Sequence, residues 1–407
     1  MTALEKLRHN EAEMNRILIG RKEEVRGCFL ATLAGQHVIL FGPWGEAKSM
    51  LLDQFVQGIS GAVVFNKTVA QDTAPDDLFV ADYDFVEQDL GSGKKRIGKE
   101  PITTGMLPEA HFAMLREIFR CSSETLNALL TAINERKYEV RGVRRDMPLV
   151  SVFGDTNNLP GEDLEAFYDR FMLRYVVGRT MEKSQRILMR QLSHQRRQGD
   201  VSARIKPESI TLDELTELQE EALLVDVNER IDDLIETIIE RLYEEGVIIY
   251  GRRDVRLNPI LQANALLEGR DEVTEADLVE VLPHCLWDNP DQKTVVKKVI
   301  LAVANPIGLQ VQELLDEAQE IRDAALSRKK ADGSQKSEQE FVRGGSEANA
   351  KLKKLISGDS QADIKGIIQL LEDAKKGGFP SKQIEDARET VQRFQKDVAR
   401  EVMGFDF

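Results

Sequence analysis

The chain has 407 residues, 42% hydrophobic and 31% charged, which allows two or three domains and a large core. Acidic residues outnumber basic ones, 70 to 55, for a formal net charge of −15, and this argues against a general nucleic-acid binder, whose phosphate contacts need clustered Lys and Arg. No apolar run reaches the length of a membrane span, and Met1-Thr2-Ala3-Leu4-Glu5-Lys6 lacks the basic-then-apolar layout of a signal peptide, so a cytoplasmic protein is expected.

The first informative element is Val38-Ile39-Leu40-Phe41, a short apolar run that reads as a buried strand. It is followed by Gly42-Pro43-Trp44-Gly45-Glu46-Ala47, then Lys48-Ser49, then the apolar start of a helix at Met50. Strand, glycine-bearing turn, Lys-Ser and helix start form the order that cradles a nucleotide phosphate. Gly42 and Gly45 permit backbone angles that turn N–H groups inward. The helix start adds free N–H groups and the positive end of its dipole. Lys48 can reach the β- and γ-phosphates, and Ser49 can ligate Mg²⁺. Ala47 departs from the pattern by standing where its last glycine belongs.

Further apolar runs alternate with helical stretches as far as about Gln191, the signature of an α/β layer fold. Val63-Val64-Phe65, His111 to Leu115, Leu149 to Phe153 and Arg174 to Val177 read as the second to fifth strands. Two hairpins interrupt them, Tyr83 to Ile102 around Gly91-Ser92-Gly93, and Tyr138 to Val143 around Gly142. The basic clusters Lys94-Lys95-Arg96 and Arg141 to Arg145 sit at these turns and read as solvated hairpin tips.

From about Ile205 the pattern is helical. Thr211-Leu212-Asp213-Glu214 is a capping-box signature, and helices are expected at Ile231–Tyr243, Val255–Leu267 and Glu275–Leu282. After Pro306 a third region begins with a helix from Leu309 to Arg328. The polar stretch Lys329–Gly345 reads as a flexible loop, and two more helices follow, broken at Gly377-Gly378-Phe379-Pro380. Ile384, Ala387, Val391, Phe394 and Val398 give the last helix one narrow stripe, short enough to suit a self-packed three-helix unit rather than an intermolecular coiled coil. The expected domains are therefore an α/β nucleotide-binding core at 1–191, an all-helical lid at 205–305 and a helical region at 306–407 with a flexible loop at 329–345. Cys28, Cys121 and Cys285 are widely spaced and the five histidines form no metal pattern, so the cysteines read as reduced thiols.

The downstream motifs narrow the class. Leu115-Arg116-Glu117-Ile118 ends the third strand, Asp155-Thr156-Asn157-Asn158-Leu159-Pro160 ends the fourth, and Glu165-Ala166-Phe167-Tyr168-Asp169-Arg170-Phe171 follows. This ordered set resembles the MoxR family of AAA+ ATPases, and most of all its RavA branch, over roughly Ile19 to Val299. The resemblance implies a five-stranded parallel sheet between helices, an all-helical lid, and ATP with Mg²⁺ as ligands. It implies that Lys48 and Ser49 are the Walker A pair, that Glu117 is the catalytic glutamate, and that Asn157 is the sensor that positions water. It also implies that Arg170 is an arginine finger for the neighbouring subunit and that Arg252, or alternatively Arg253, is the lid sensor. Ile19 and Gly20 match the segment beside the adenine, and Gly42 to Met50 the phosphate loop. A hexameric ring is implied, with the two hairpins facing its pore, which makes Tyr83, Phe85 and the tip near Lys94 candidate client contacts. The implied function is ATP-driven, chaperone-like remodelling of another protein, with a von Willebrand A-domain protein as the implied partner class.

Two departures stand out. Arg116 occupies the position of the Walker B aspartate, and a guanidinium cannot hold a Mg²⁺-bound water. Asp155, where the RavA-like pattern has a small residue, is expected either to pair with Arg116 or to replace the missing acid near the metal beside Ser49. The alternative reading is a nucleotide-binding scaffold with weak or no hydrolysis, because Arg116 replaces the Walker B aspartate. The second departure is the loss of the small β-rich insertion that RavA-like chains carry, since only the polar stretch after Arg328 stands at its place.

Overall fold

The computed structural model describes residues 1–43, 48–89, 95–140, 143–161, 164–178, 183–200, 204–329, 334–358, 365–377 and 382–403. The polypeptide divides into two compact units, one formed by 1–233, 246–277 and 281–293, the other by 234–245, 278–280 and 294–407.

The first unit opens with helices α1 (Ala3–Ile17) and α2 (Lys22–Leu33). Thr2 closes a capping box with Glu5 at the start of α1. Strand β1 (Val38–Phe41) leads to helix α3 (Lys48–Phe55), and β2 (Val64–Thr68), β3 (Phe112–Arg116), β4 (Ser151–Thr156) and β5 (Leu173–Val176) complete one sheet. Its order is β5-β1-β4-β3-β2, with every neighbouring pair parallel. Parallel strands covered on both faces need near-continuous apolar runs. Accordingly, every residue of β1 and of β4 is buried. The ring of Phe55 packs against Phe29, Phe112 and Phe153 at centroid distances of 5.0, 5.8 and 6.1 Å, joining α2 and α3 to the sheet. Gly27 lets α2 approach β5, because a Cβ there would lie 2.4 Å from the Tyr175 ring.

Both expected hairpins are present. Asp82–Asp89 pairs antiparallel with Lys95–Ile102, and Lys137–Val140 with Val143–Asp146. The second follows helix α4 (Ser123–Glu135), whose N-cap is Ser122. The tips around Gly91 and Gly142 lie outside the described residues.

The helical part begins with α5 (Lys183–Arg197), then α6 (Leu212–Leu223), which starts at the expected Thr211–Glu214 capping box. Helices α7 (Glu229–Glu244), α8 (Gly251–Val255), α9 (Leu257–Glu268), α10 (Glu275–Val281) and α11 (Lys293–Ala304) follow. The helix expected at Val255–Leu267 is instead two, because Arg256, at φ −96° and ψ 1°, interrupts it.

In the second unit, α12 (Pro306–Leu326), α13 (Glu338–Ser357), α14 (Ile367–Gly377) and α15 (Lys382–Val398) share one apolar core. Ile384, Ala387, Val391, Phe394 and Val398 are all buried in it, so the stripe is indeed satisfied within the chain. Two expectations are corrected here. Among the described residues the region has four α-helices rather than three, because Gly358, at φ +82°, ends α13 before α14 starts. The flexible loop expected at 329–345 is helical from Glu338 onward. Ser337 and Glu340 form a capping box, and Phe341 is buried in the core, so polar composition hid a helix start. Residues 330–333 of that stretch lie outside the described residues.

Candidate nucleotide site

The carboxyl ends of β1, β3 and β4 lie side by side, with Leu40 opposite Asp155 and Leu115 opposite Gly154. In open parallel sheets, ligands bind beyond these ends. Gly42 leaves β1 at φ +153°, and a Cβ there would lie 2.2 Å from the Val177 carbonyl oxygen, so this turn requires glycine. Lys48 opens α3. Its Nζ donates to the Gly42 carbonyl at 2.6 Å and to Asn157 Oδ1 at 3.3 Å, and stands 3.9 Å from Asp155 Oδ2. Burial depresses the Lys48 pKa, opposed by the nearby Asp155 and Glu117 carboxylates.

Glu117 completes the group. Asn157 Nδ2 donates to Glu117 Oε1 at 2.8 Å, and Arg120 Nε lies 3.3 Å from Glu117 Oε2. The backbone N–H of Glu117 donates to Asp155 Oδ1 at 2.8 Å. Four residues named from sequence, Lys48, Glu117, Asp155 and Asn157, thus form one connected network across three strand ends. Trp44, Gly45, Glu46, Ala47 and the Ser49 side chain lie outside what the structure describes. Pro43 is exposed, and Met50 lies 3.6 Å (Sδ) from Arg196 Nη1.

The expected Arg116–Asp155 pair is not formed. Among the described residues Arg116 makes no ion pair, and its buried Nε has no hydrogen-bond partner. Asp155 instead spends one oxygen on the Glu117 backbone and turns the other toward Lys48. Among the described residues no group of three or more His, Cys, Asp or Glu could hold a metal ion. Asp155 Oδ2, 3.9 Å from Lys48 Nζ, is a carboxylate oxygen of the hard-donor kind that Mg²⁺ takes.

Ile19 is half-buried and Gly20 exposed at φ +74°. The adjoining cleft is lined by Leu18, Arg21, Glu24, Lys48 and Val177 among others, so the segment expected beside the base does run next to the lysine. Burial raises the Glu24 carboxyl above its ordinary range.

Arg170, Arg252 and Arg253 are gathered around Asp169, which the sequence motif contains without a role, and Arg253 also meets Asp288, which sequence reasoning missed. Arg253 Nη2 lies 3.1 Å from Asp169 Oδ1 and 2.5 Å from Asp288 Oδ1. Arg252 Nη1 is 3.9 Å and Arg170 Nη1 4.0 Å from Asp169 Oδ2. Arg174, fully buried, stacks 3.8 Å from the Tyr168 ring centroid and donates to the Trp287 carbonyl and to Asp288. The Arg170 side chain is only 8% exposed, and its Nε and Nη1 have no hydrogen-bond partner among the described residues. Arg252 is 47% exposed and Arg253 1%, so the two candidate lid sensors stand in opposite environments. No spacing signal marks Asp288, because it meets Arg174 from more than a hundred residues away.

On the first hairpin Phe85 is 64% exposed, and Lys99 Nζ lies 5.2 Å from its ring centroid and 5.8 Å from that of Tyr83. Lys94 lies outside the described residues. Arg144 of the second hairpin pairs with Glu135 and Glu139 at 3.3 and 3.9 Å, as a solvated tip residue would.

A β5-β1-β4-β3-β2 parallel sheet, with a lysine opening the helix after β1 and Glu and Asn beyond β3 and β4, defines a P-loop ATPase core of the AAA+ class. Residues 5–220 match the family described as "MoxR domain in the MoxR-vWA-beta-propeller ternary systems", and residues 230–300 match an AAA lid domain. An uncharacterized protein of Methanocaldococcus jannaschii is 33% identical over 77% of this chain and 80% of its own length. The chaperone MoxR1 of Mycobacterium tuberculosis is 25% identical over 72% of this chain and 81% of its own. The crystal structure of a candidate ATPase from Cytophaga hutchinsonii shares the fold, with a TM-score of 0.56 at 19% identity over 74% of this chain and 95% of that one. The chain belongs to the MoxR family of AAA+ ATPases.

Proposed function

We propose that this chain binds ATP with Mg²⁺ at the Lys48 site, hydrolyses it, and works as a ring-forming, chaperone-like remodelling factor. The observation that carries the reading is the Lys48–Asn157–Glu117–Asp155 network at the strand ends. Lys48 meets the β- and γ-phosphates, Ile19 and Gly20 border the adenine, and residues 42–50 wrap the phosphates. Asn157 holds the Glu117 carboxylate, which polarises the attacking water. Ser49 and Asp155 Oδ2 would hold Mg²⁺, which would supply charge neutralisation on the phosphates. Arg252 is the exposed lid arginine available to the nucleotide. Arg170 serves a neighbouring subunit's nucleotide after its side chain swings out on assembly, a contribution of roughly 10³-fold or more in related enzymes.

The finger role requires a neighbouring subunit, and a hexameric ring is the proposed assembly. The family's description supports a von Willebrand A-domain protein as partner, the name of MoxR1 supports a chaperone role, and the RavA-like motif order supports that branch. Three free, buried cysteines fit a cytoplasmic setting, and among the described residues no helix is long and apolar enough to cross a membrane. The domain reading remains core 1–191, lid 205–305 and helical region 306–407. A second reading, a nucleotide-gated scaffold without turnover, rests on Arg116.

Titration calorimetry of ATP with the native chain and Lys48→Ala tests the binding step. Loss of a charge-assisted contact predicts affinity weakened about tenfold or more. Equal affinity in both chains would remove Lys48 from the site and with it the reading.

A further inference from the structure

Two described non-glycine residues have positive φ, Arg136 at 53° and Glu117 at 55°. Arg136 caps the end of α4, where a left-handed residue is common. Glu117 has no such excuse. It follows a parallel strand directly, at φ 55° and ψ 39°, and carries a Cβ into a region that disfavours it. Such outliers persist only where their surroundings over-determine them.

The surroundings do so from several directions. The N–H of Glu117 donates to Asp155 Oδ1 at 2.8 Å, its Oε1 accepts from Asn157 at 2.8 Å, and its Oε2 faces Arg120 at 3.3 Å. The Asp155 contact holds the backbone N–H of Glu117, while the Glu117 carbonyl accepts from the Arg120 N–H at 2.8 Å. Asp155 is 7% exposed and lies on β4, the strand next to β3, so the bond is short-range across the sheet and shielded from water.

We infer that Asp155 is a positioning residue: its Oδ1 holds the Glu117 backbone left-handed and so aims the Glu117 carboxylate at Asn157 and the reacting water. This rests on the ATPase reading above, and it is distinct from any metal contact through Oδ2. A positioning role needs an acceptor at Oδ1 and no charge, whereas a metal or charge role needs the carboxylate. Asparagine keeps the acceptor, and alanine removes it.

The experiment compares Asp155→Asn with Asp155→Ala by steady-state phosphate release and by crystal structures of both. Asp155→Asn is expected to turn over at least about tenfold faster than Asp155→Ala at similar KM, the size of one hydrogen bond to a buried donor. The alanine structure is expected to show Glu117 at negative φ and parted from Asn157, while the asparagine structure keeps both. Glu117 left-handed and still joined to Asn157 in the alanine structure would overturn the inference. Should the alanine chain not fold, Asp155→Leu, similar in shape and without an acceptor, takes its place. Absence of Lys48-dependent turnover in the native chain would overturn the ATPase reading, and the Glu117 conformation in the variant structures then decides the positioning claim by itself.

Discussion

Arg252 and Arg253 are adjacent in sequence and opposite in energetics. Arg253 is buried, and although burial lowers its pKa, Asp288 and Asp169 together carry it above the usual arginine value. Removing one partner of a buried pair typically costs 3–5 kcal/mol, and here Asp288 would keep Arg174 and Asp169 would keep the more distant Arg252 and Arg170. Because Asp288 is itself 40% exposed and partly solvated, Arg253→Ala is expected at the low end, about 3 kcal/mol. Arg252→Ala is expected within about 0.5 kcal/mol of the native chain in stability, with its effect on turnover. Urea unfolding followed by tryptophan fluorescence measures both, since Trp287 is fully buried beside Asp288. The reverse ranking would make Arg253 the exchangeable residue and refute the assignment. At this scale the sequence discloses side chains that belong to an ordered motif, such as Lys48, Glu117 and Asn157. It does not disclose the Arg253–Asp288 clamp or the Glu117 backbone, because both depend on contacts between distant elements.

Elements were legible where periodicity and caps agreed. The Thr211–Glu214 capping box marks the start of α6, and the five apolar strands were placed to within a few residues of their observed positions. The Ser337–Glu340 box is the same motif, but the surrounding Lys, Ser, Gln and Gly read as loop, and its helix declares itself only through the buried Phe341. The adjacent glycines of α13 make a sharper test. A Cβ on Gly345 would lie 2.4 Å from Val402 Cγ1 and 2.8 Å from its Cβ, whereas one on Gly344 meets nothing within 4 Å. Alanine gains up to about 1 kcal/mol of helix propensity at either site. At Gly345 that gain is outweighed by overpacking of about 1–3 kcal/mol. Gly344→Ala should therefore slow, and Gly345→Ala hasten, amide hydrogen exchange in peptides from α13 and α15. Equal effects would mean that α13 does not approach Val402 as closely as described.

For the whole molecule, the question is whether a site assembled from three strand ends still turns over when the position proposed for the Walker B acid holds an arginine. Asp155 stands on the neighbouring strand, within reach of both Lys48 and the Glu117 backbone, and Arg116 takes no part in that network. The network is thus complete without an acid at 116, and a working ATPase is expected. The direct measurement is steady-state phosphate release from ATP and Mg²⁺ by the native chain, Lys48→Ala and Arg116→Asp. Turnover in the native chain that Lys48→Ala abolishes is the predicted result. ATP binding without turnover in the native chain, with activity appearing in Arg116→Asp, would contradict it and leave a nucleotide-gated scaffold.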